Sequence, residues 1–202
     1  MILDCANGVG SIVFSEFLGL AGVVEKLNVT MLNNAKDPKD LNEGCGAEHV
    51  HSKQSLPNGW DAATHQNMKC VSFDGDADRQ IYYYGDAEGN YHGANGDKQF
   101  ALIMMYIRDL LQKAGIEDKV THILVQTAYC NSRSTAYLNQ CNINNQLVKT
   151  GVKYAHPVVV NFDIGANTEP NGHGTVAYKM EAIEAALEGN VTLEARKLKA
   201  LL

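Results

Sequence analysis

Lys69-Cys70-Val71-Ser72-Phe73-Asp74-Gly75-Asp76-Ala77-Asp78-Arg79-Gln80-Ile81-Tyr82-Tyr83-Tyr84 is the stretch on which the fold turns. Lys69 to Phe73 and Gln80 to Tyr84 read as short strands. Between them lie three carboxylates at alternating positions. An acidic loop at the carboxyl end of a strand is where open α/β sheets bind ligands. The three carboxylates repel one another, which raises their pKa values or splays the loop. A divalent cation removes that conflict, and an all-oxygen donor set suits Mg²⁺ or Mn²⁺. Gly75 and Ala77 are small and let the backbone curl round an ion. Arg79 adds a planar cation shaped to hold a pair of phosphate oxygens. The residues therefore predict a metal-assisted phosphoryl-transfer site with Asp74, Asp76 and Asp78 as ligands. The competing reading is an acidic surface turn, since Asp and Gly are ordinary turn residues. An EF-hand is excluded by counting from Asp74: its sixth position is Arg79, where Gly is needed, and its twelfth is Gly85, where Glu is needed.

Working outward, strands and helices alternate. Ile2 to Ala6 reads as a buried strand. Asn7 to Ser11 turns into a helix carrying Ile12, Val13, Phe14, Phe17 and Leu18, with Gly19 and Gly22 suited to its end. Val23 to Leu32 reads as a second strand region, and Cys45 to Gln54 as a short helix before a polar loop at Pro57-Asn58-Gly59. Tyr82 to Tyr91 reads as a hairpin turning at Asp86 to Asn90. Asp97 to Gly115 has apolar residues at helical spacing. Strands are expected at Ile123-Leu124-Val125 and Leu147-Val148, with a helix from Asn131 to Cys141 capped by Asn131 or Ser132. A helix from about Gly151 meets Pro157, which shortens or bends it. Phe162 to Gly165 and Gly174 to Tyr178 read as strands round a loop. Met180 to Leu202 is helical, with a break near Gly189-Asn190. The alternation predicts an α/β protein with largely parallel sheets, in two similar strand–helix–strand units divided near Gly93 to Gly96.

The chain has 202 residues, 45% of them hydrophobic, enough for one large domain or two small ones with real cores. Its net charge of −6 and lack of a basic stripe argue against nucleic acid as a partner. The five cysteines are odd in number and include no C-x-x-C pair, so neither a disulfide framework nor a zinc site is indicated. Reduced thiols in a cytoplasmic protein are the expectation. No apolar run approaches membrane-spanning length, and Met1-Ile2-Leu3-Asp4 lacks the basic start of a signal peptide.

A second polar constellation is Glu169-Pro170-Asn171-Gly172-His173-Gly174-Thr175. Glu169, Asn171 and His173 alternate, so they could point the same way and offer an acceptor, an amide and an imidazole to a sugar. The competing reading is a polar loop that uses Gly172 and Gly174 for tight turns. Lys149-Thr150-Gly151-Val152-Lys153 sits at a strand-to-helix transition, where free N–H groups and two lysines can meet an anion. It is not a P-loop.

These stretches together resemble the α-D-phosphohexomutases and, within them, the phosphoacetylglucosamine mutases. The resemblance rests on Leu3 to Gly8, Leu41 to Ala47, Ser72 to Arg79, Gln126 to Tyr129, Lys149 to Lys153 and Glu169 to Thr175, in family order over nearly the whole chain. It implies that Asp74, Asp76 and Asp78 bind Mg²⁺, and that Arg79 sits by a phosphorylated serine. It implies that Lys153 approaches the substrate, and that Glu169, Asn171 and His173 lie in the sugar-recognition loop. The implied reaction interconverts N-acetylglucosamine 6-phosphate and N-acetylglucosamine 1-phosphate through a phosphoserine and a sugar bisphosphate, in UDP-N-acetylglucosamine biosynthesis. By resemblance, residues 1–94 are the family's second domain and residues 95–202 an incomplete third. The first domain, with its nucleophilic serine, and the fourth, with its phosphate-binding loop, have no match here and are the implied partners. Pro170 and His156-Pro157 depart from the family pattern. The alternatives are a fragment that binds Mg²⁺ and sugar phosphate without turnover, or a related phosphoglucomutase or phosphomannomutase.

Overall fold

The computed structural model describes residues 1–20, 22–23, 26–34, 37–190 and 192–202. The chain forms two compact units. One comprises Met1–Asn95 with Asn171–His173, and the other Gly96–Pro170 with Gly174–Leu202.

The first unit runs β1 (Ile2–Asp4), α1 (Gly10–Leu18), β2 (Thr30–Leu32), α2 (Gly46–Lys53), α3 (Ala62–His65), β3 (Cys70–Phe73), β4 (Gln80–Gly85) and β5 (Tyr91–Ala94). Its sheet order is β2-β1-β3-β4-β5, parallel on both sides of β1 and antiparallel from β3 to β5. All of β1 is buried, as expected of a central strand covered on both faces. β4 alternates instead: Ile81 and Tyr83 point into the core, Tyr82 and Tyr84 outward. On one face, Ile2, Cys70, Ile81 and Tyr83 pack with Ala47 and Val50 of α2, and Trp60 closes the edge. Gly85 makes room for Trp60, because a Cβ there would stand 2.3 Å from the indole ring. On the other face, Leu3, Cys5 and Val71 meet Phe14 of α1 and Phe73.

The second unit runs α4 (Gly96–Lys113), β6 (His122–Thr127), α5 (Ser132–Gln140), β7 (Asn145–Val148), α6 (Val152–Val159), β8 (Ile164–Thr168), β9 (Gly174–Tyr178), α7 (Met180–Ala186) and α8 (Leu193–Leu201). Its sheet order is β7-β6-β8-β9, parallel except between β8 and β9. This repeats the order β2-β1-β3-β4 of the first sheet, so the chain is a mixed α/β protein of two similar units. The α4 stripe Phe100, Met104, Ile107, Leu110 and Leu111 packs on Leu124 and Ile164, joined by Leu198 of α8. Gly115, at φ +68°, ends α4 where the chain needs a left-handed residue. Asn131 caps α5 by accepting from the Arg133 N–H at 2.9 Å.

Two elements differ from expectation. Of the strand region expected over 23–32, only Thr30–Leu32 is strand; residues 24 and 25 lie outside the described set. The reason is the partner: β1 is three residues long and, in register, pairs only Thr30, Met31 and Leu32. β8 starts at Ile164 rather than Phe162, because residues 161–162 still complete the turn after α6 and the Asp163 carboxylate accepts from Thr121 N and Oγ1. α6 is short, as expected: it runs through Pro157 and ends two residues later, at Val159. The donor that proline lacks would have met the Lys153 carbonyl.

Candidate metal centre

The parallel register sets Asp4 level with both Leu32 and Ser72, so β1 and β2 end together and β3 runs one residue further, to Phe73. The acidic loop leaves the sheet two residues beyond Ser72. It reverses through a turn in which the Ala77 N–H donates to the Asp74 carbonyl at 3.0 Å. Ala77 sits at φ +60°, so the left-handed residue of this loop is an alanine and not one of the glycines. Gly75 has a different task. A Cβ on it would stand 2.9 Å from both Asn42 and Leu41.

One carboxylate oxygen from each of Asp74, Asp76 and Asp78 falls within 4.8 Å of the others. Asp74 is the half-buried member, and Asp76 and Asp78 are exposed. Burial pushes the Asp74 carboxyl above the usual carboxylate range. The Arg79 backbone N–H at 3.1 Å partly offsets this, while Asp78 and Asp76 push it up further. The donor set is three hard oxygens, two of them on exposed residues, which fits Mg²⁺ or Mn²⁺ and not a soft-metal site.

Arg79 is the neighbouring counter-charge. Its Nε lies 3.6 Å from Asp74 and 3.7 Å from Asp78, and one terminal nitrogen lies 3.5 Å from Glu48 of α2. These are long, part-exposed pairs worth about 1 kcal/mol or less each, so the guanidinium is held near the loop without being locked to it. Glu48 was not evident as a partner from sequence, because only the fold of α2 brings it close.

Residues 171–173 belong to this unit, and His173 reaches the same loop. Its Nδ1 lies 3.4 Å from Asp78 Oδ2 and 3.2 Å from the Asp78 carbonyl. His173 also forms a single antiparallel bridge with Arg79, and the Gln80 N–H donates to the Gly172 carbonyl at 3.3 Å. Between Asn171 and His173, Gly172 sits at φ +93°, and the Asn171 side chain accepts from the His173 N–H at 3.0 Å.

Glu169 and Lys153 lie in the second unit. Glu169 follows β8, and the Gly96 N–H donates to the neighbouring Pro170 carbonyl at 3.1 Å. Lys153 is in the first turn of α6, after Gly151 at φ +117°; its Nζ is 5.2 Å from the centre of the Tyr154 ring, with Lys149 at 5.9 Å. The structure thus groups Asp74, Asp76, Asp78, Arg79 and His173 in one unit, and Glu169 and Lys153 in the other. No helix among the described residues is long and apolar enough to cross a membrane.

Comparison with known proteins bears on this arrangement. Residues 1–81 match the family model for domain II of phosphoacetylglucosamine mutase AMG1, and residues 95–201 match that for domain III. The chain is 40% identical to the phosphoacetylglucosamine mutase of Sus scrofa over 199 residues, covering 98% of this chain and 35% of that protein. Among solved structures, the Aspergillus fumigatus N-acetylphosphoglucosamine mutase in complex with GlcNAc-6P and magnesium superposes with a TM-score of 0.86 at 33% identity, covering 99% of this chain and 40% of that one. An N-acetylglucosamine-phosphate mutase of the α-D-phosphohexomutase superfamily, in its substrate complex, gives 0.87 at 35% identity, covering 99% and 38%. The chain spans about a third of the length of the curated relative it matches.

Proposed function

The chain belongs to the phosphoacetylglucosamine mutase family, and we propose that it is the metal-binding and sugar-recognising part of such an enzyme. The reaction would interconvert N-acetylglucosamine 6-phosphate and N-acetylglucosamine 1-phosphate through a phosphoserine and a sugar bisphosphate. The observation that carries this reading is the convergence of Asp74, Asp76 and Asp78 within 4.8 Å, at the carboxyl end of a sheet, with Arg79 alongside. The magnesium in the Aspergillus relative supports it.

Asp74, Asp76 and Asp78 would hold one Mg²⁺, with Mn²⁺ as a substitute. Bound there, the cation supplies positive charge to a transferring phosphoryl group, where catalysis is largely positioning and electrostatics. Arg79 now shares the carboxylates at long range. With those charges neutralised, its fork would turn to phosphoryl oxygens. Glu169, Asn171 and His173 would take the sugar hydroxyls and acetamido group, and Lys153 would approach the phosphate. The phosphorylated serine and the phosphate-binding loop would come from the portions of the longer relatives that this chain does not match. By itself the chain would bind Mg²⁺ and sugar phosphate without turnover.

The test is a chimaera. This chain replaces the corresponding segment of the Sus scrofa mutase, and N-acetylglucosamine 6-phosphate is followed by phosphorus NMR with Mg²⁺ and a trace of sugar bisphosphate. Formation of the 1-phosphate, abolished by Asp76→Asn, is expected. A folded chimaera that turns over glucose phosphate but not the N-acetylated sugar, or nothing at all, would sink the proposal.

A further inference from the structure

Asp4, the last residue of β1, is completely buried. A buried carboxylate is tolerated only when its oxygens are satisfied, and both of these are. Oδ1 accepts from the Ala6 N–H at 3.1 Å and from Asn33 Nδ2 at 2.9 Å; Oδ2 accepts from the Gly46 N–H at 2.8 Å and from Ser72 Oγ at 2.6 Å. Three of these four donors lead by short routes to the acidic loop. Ala6, at φ +54°, opens the turn to Gly8 and Val9. The Val9 N–H donates to the Gly75 carbonyl at 3.0 Å, and a Cβ on Gly8 would stand 2.2 Å from that same oxygen. Gly46 begins α2, which presents Glu48 to Arg79. Ser72 precedes Asp74 by two residues on β3.

We propose that Asp4 is a positioning residue for the acidic loop: one buried carboxylate that ties the turn at Ala6, the start of α2 and the end of β3 together, so that Asp74, Asp76 and Asp78 converge. The inference rests on the reading of that loop as a Mg²⁺ site. Asp4 is not one of the three converging carboxylates. Residues that orient metal ligands from behind typically change metal affinity by about 10- to 100-fold. Mg²⁺ demands near-octahedral geometry whereas Ca²⁺ accepts irregular sites, so a loosened loop penalises Mg²⁺ more.

The experiment is a calorimetric titration of the chain with MgCl₂ and with CaCl₂, well below its melting midpoint, with folding checked by circular dichroism. Wild type, Asp4→Asn, Ser72→Ala and Asp76→Asn are compared. Asp4→Asn is expected to weaken Mg²⁺ binding about 10- to 100-fold, and Ca²⁺ binding distinctly less. Ser72→Ala removes one donor with no change of charge and is expected to weaken Mg²⁺ about 3- to 10-fold. A merely structural role, or the simple loss of a negative charge, would move both ions alike and leave Ser72→Ala unaffected; that result overturns the inference. So does Mg²⁺ binding within about twofold of wild type in both folded variants. If Asp4→Asn does not fold, Ser72→Ala decides alone. Absence of Mg²⁺ binding in wild type, or unchanged binding in Asp76→Asn, is instead the failure of the metal reading itself.

Discussion

The loop between β3 and β4 and the loop between β8 and β9 leave corresponding strands of two sheets with the same order, yet their chemistry differs. The first carries three carboxylates and turns on Ala77 at φ +60°; the second carries Glu169, Asn171 and His173 and turns on Gly172 at φ +93°. The residues beneath differ too. In the first sheet the register pairs Asp4 with Ser72, which bond directly at 2.6 Å. In the second it pairs Gln126 with Thr168, and Gln126 donates instead to Asp97 of α4 at 3.0 Å and to Ser134 of α5 at 2.9 Å. Strand order fixes where a loop emerges. The first buried side chain joins two strands and the start of α2, whereas the second joins its strand to α4 and α5.

The sharpest way to break the comparison is at the two turns. Gly172→Ala puts a Cβ at a positive φ and 2.2 Å from the Gln80 carbonyl. It is expected to cost about 3 kcal/mol in urea unfolding; a loss below about 1 kcal/mol would show that the second loop tolerates a side chain as the first does. Next comes Asp74→Asn. With one ligand gone, Mg²⁺ affinity should fall by about 100-fold or more, while metal-free stability at neutral pH should rise. The sign follows from the raised Asp74 pKa. The folded state holds that proton more tightly than the unfolded state, so metal-free stability declines as pH climbs from the usual carboxylate range through the raised value. A variant less stable without metal across that range would contradict the account of Asp74 as a carboxylate held uncomfortably by burial and by its acidic neighbours.

The thiols offer a smaller contrast. In the first unit Cys5 and Cys70 are pushed up to about 11 and Cys45 to about 12, chiefly by burial, with Asp4 adding to Cys5 and Cys45. In the second unit Cys130 and Cys141 are only half-buried. At pH near 8, a disulfide reagent should modify the latter two roughly 100-fold faster than the first three. Five equal rates would mean the first core opens readily. The smallest effect is expected of Ala77→Gly, which relieves a left-handed alanine but loosens the unfolded chain. The two roughly cancel, so unfolding should shift by less than about 1 kcal/mol.

Much of this was legible in the sequence. The acidic loop and its flanking strands could be read because two short β-branched and aromatic runs, Lys69 to Phe73 and Gln80 to Tyr84, bracket three alternating carboxylates. α4 was readable from its stripe. Other features depend on contacts distant in sequence. The length of β2 is set by β1, 28 residues away in register. Glu48 reaches Arg79 only once α2 packs on the sheet. Gly75 and Ala77 were legible as small residues, but their separate tasks were not: Ala77 takes the left-handed turn, and Asn42 and Leu41 leave no room for a Cβ on Gly75. Asp4 reads as an acid in an apolar run, an anomaly whose meaning appears only with its four donors. His173 joins Asp78 because Gly172 turns the loop, which residue alternation alone does not reveal.

The chain's single tryptophan has a practical consequence. Trp60 packs in the first unit's core against Gly85, with the His65 ring centre 6.4 Å away. Its emission is therefore an intrinsic reporter of that unit alone, whereas the helical far-ultraviolet signal comes from both. Recording the two together during denaturation separates the melting of the metal-loop half from that of the whole chain, without a label or an added mutation.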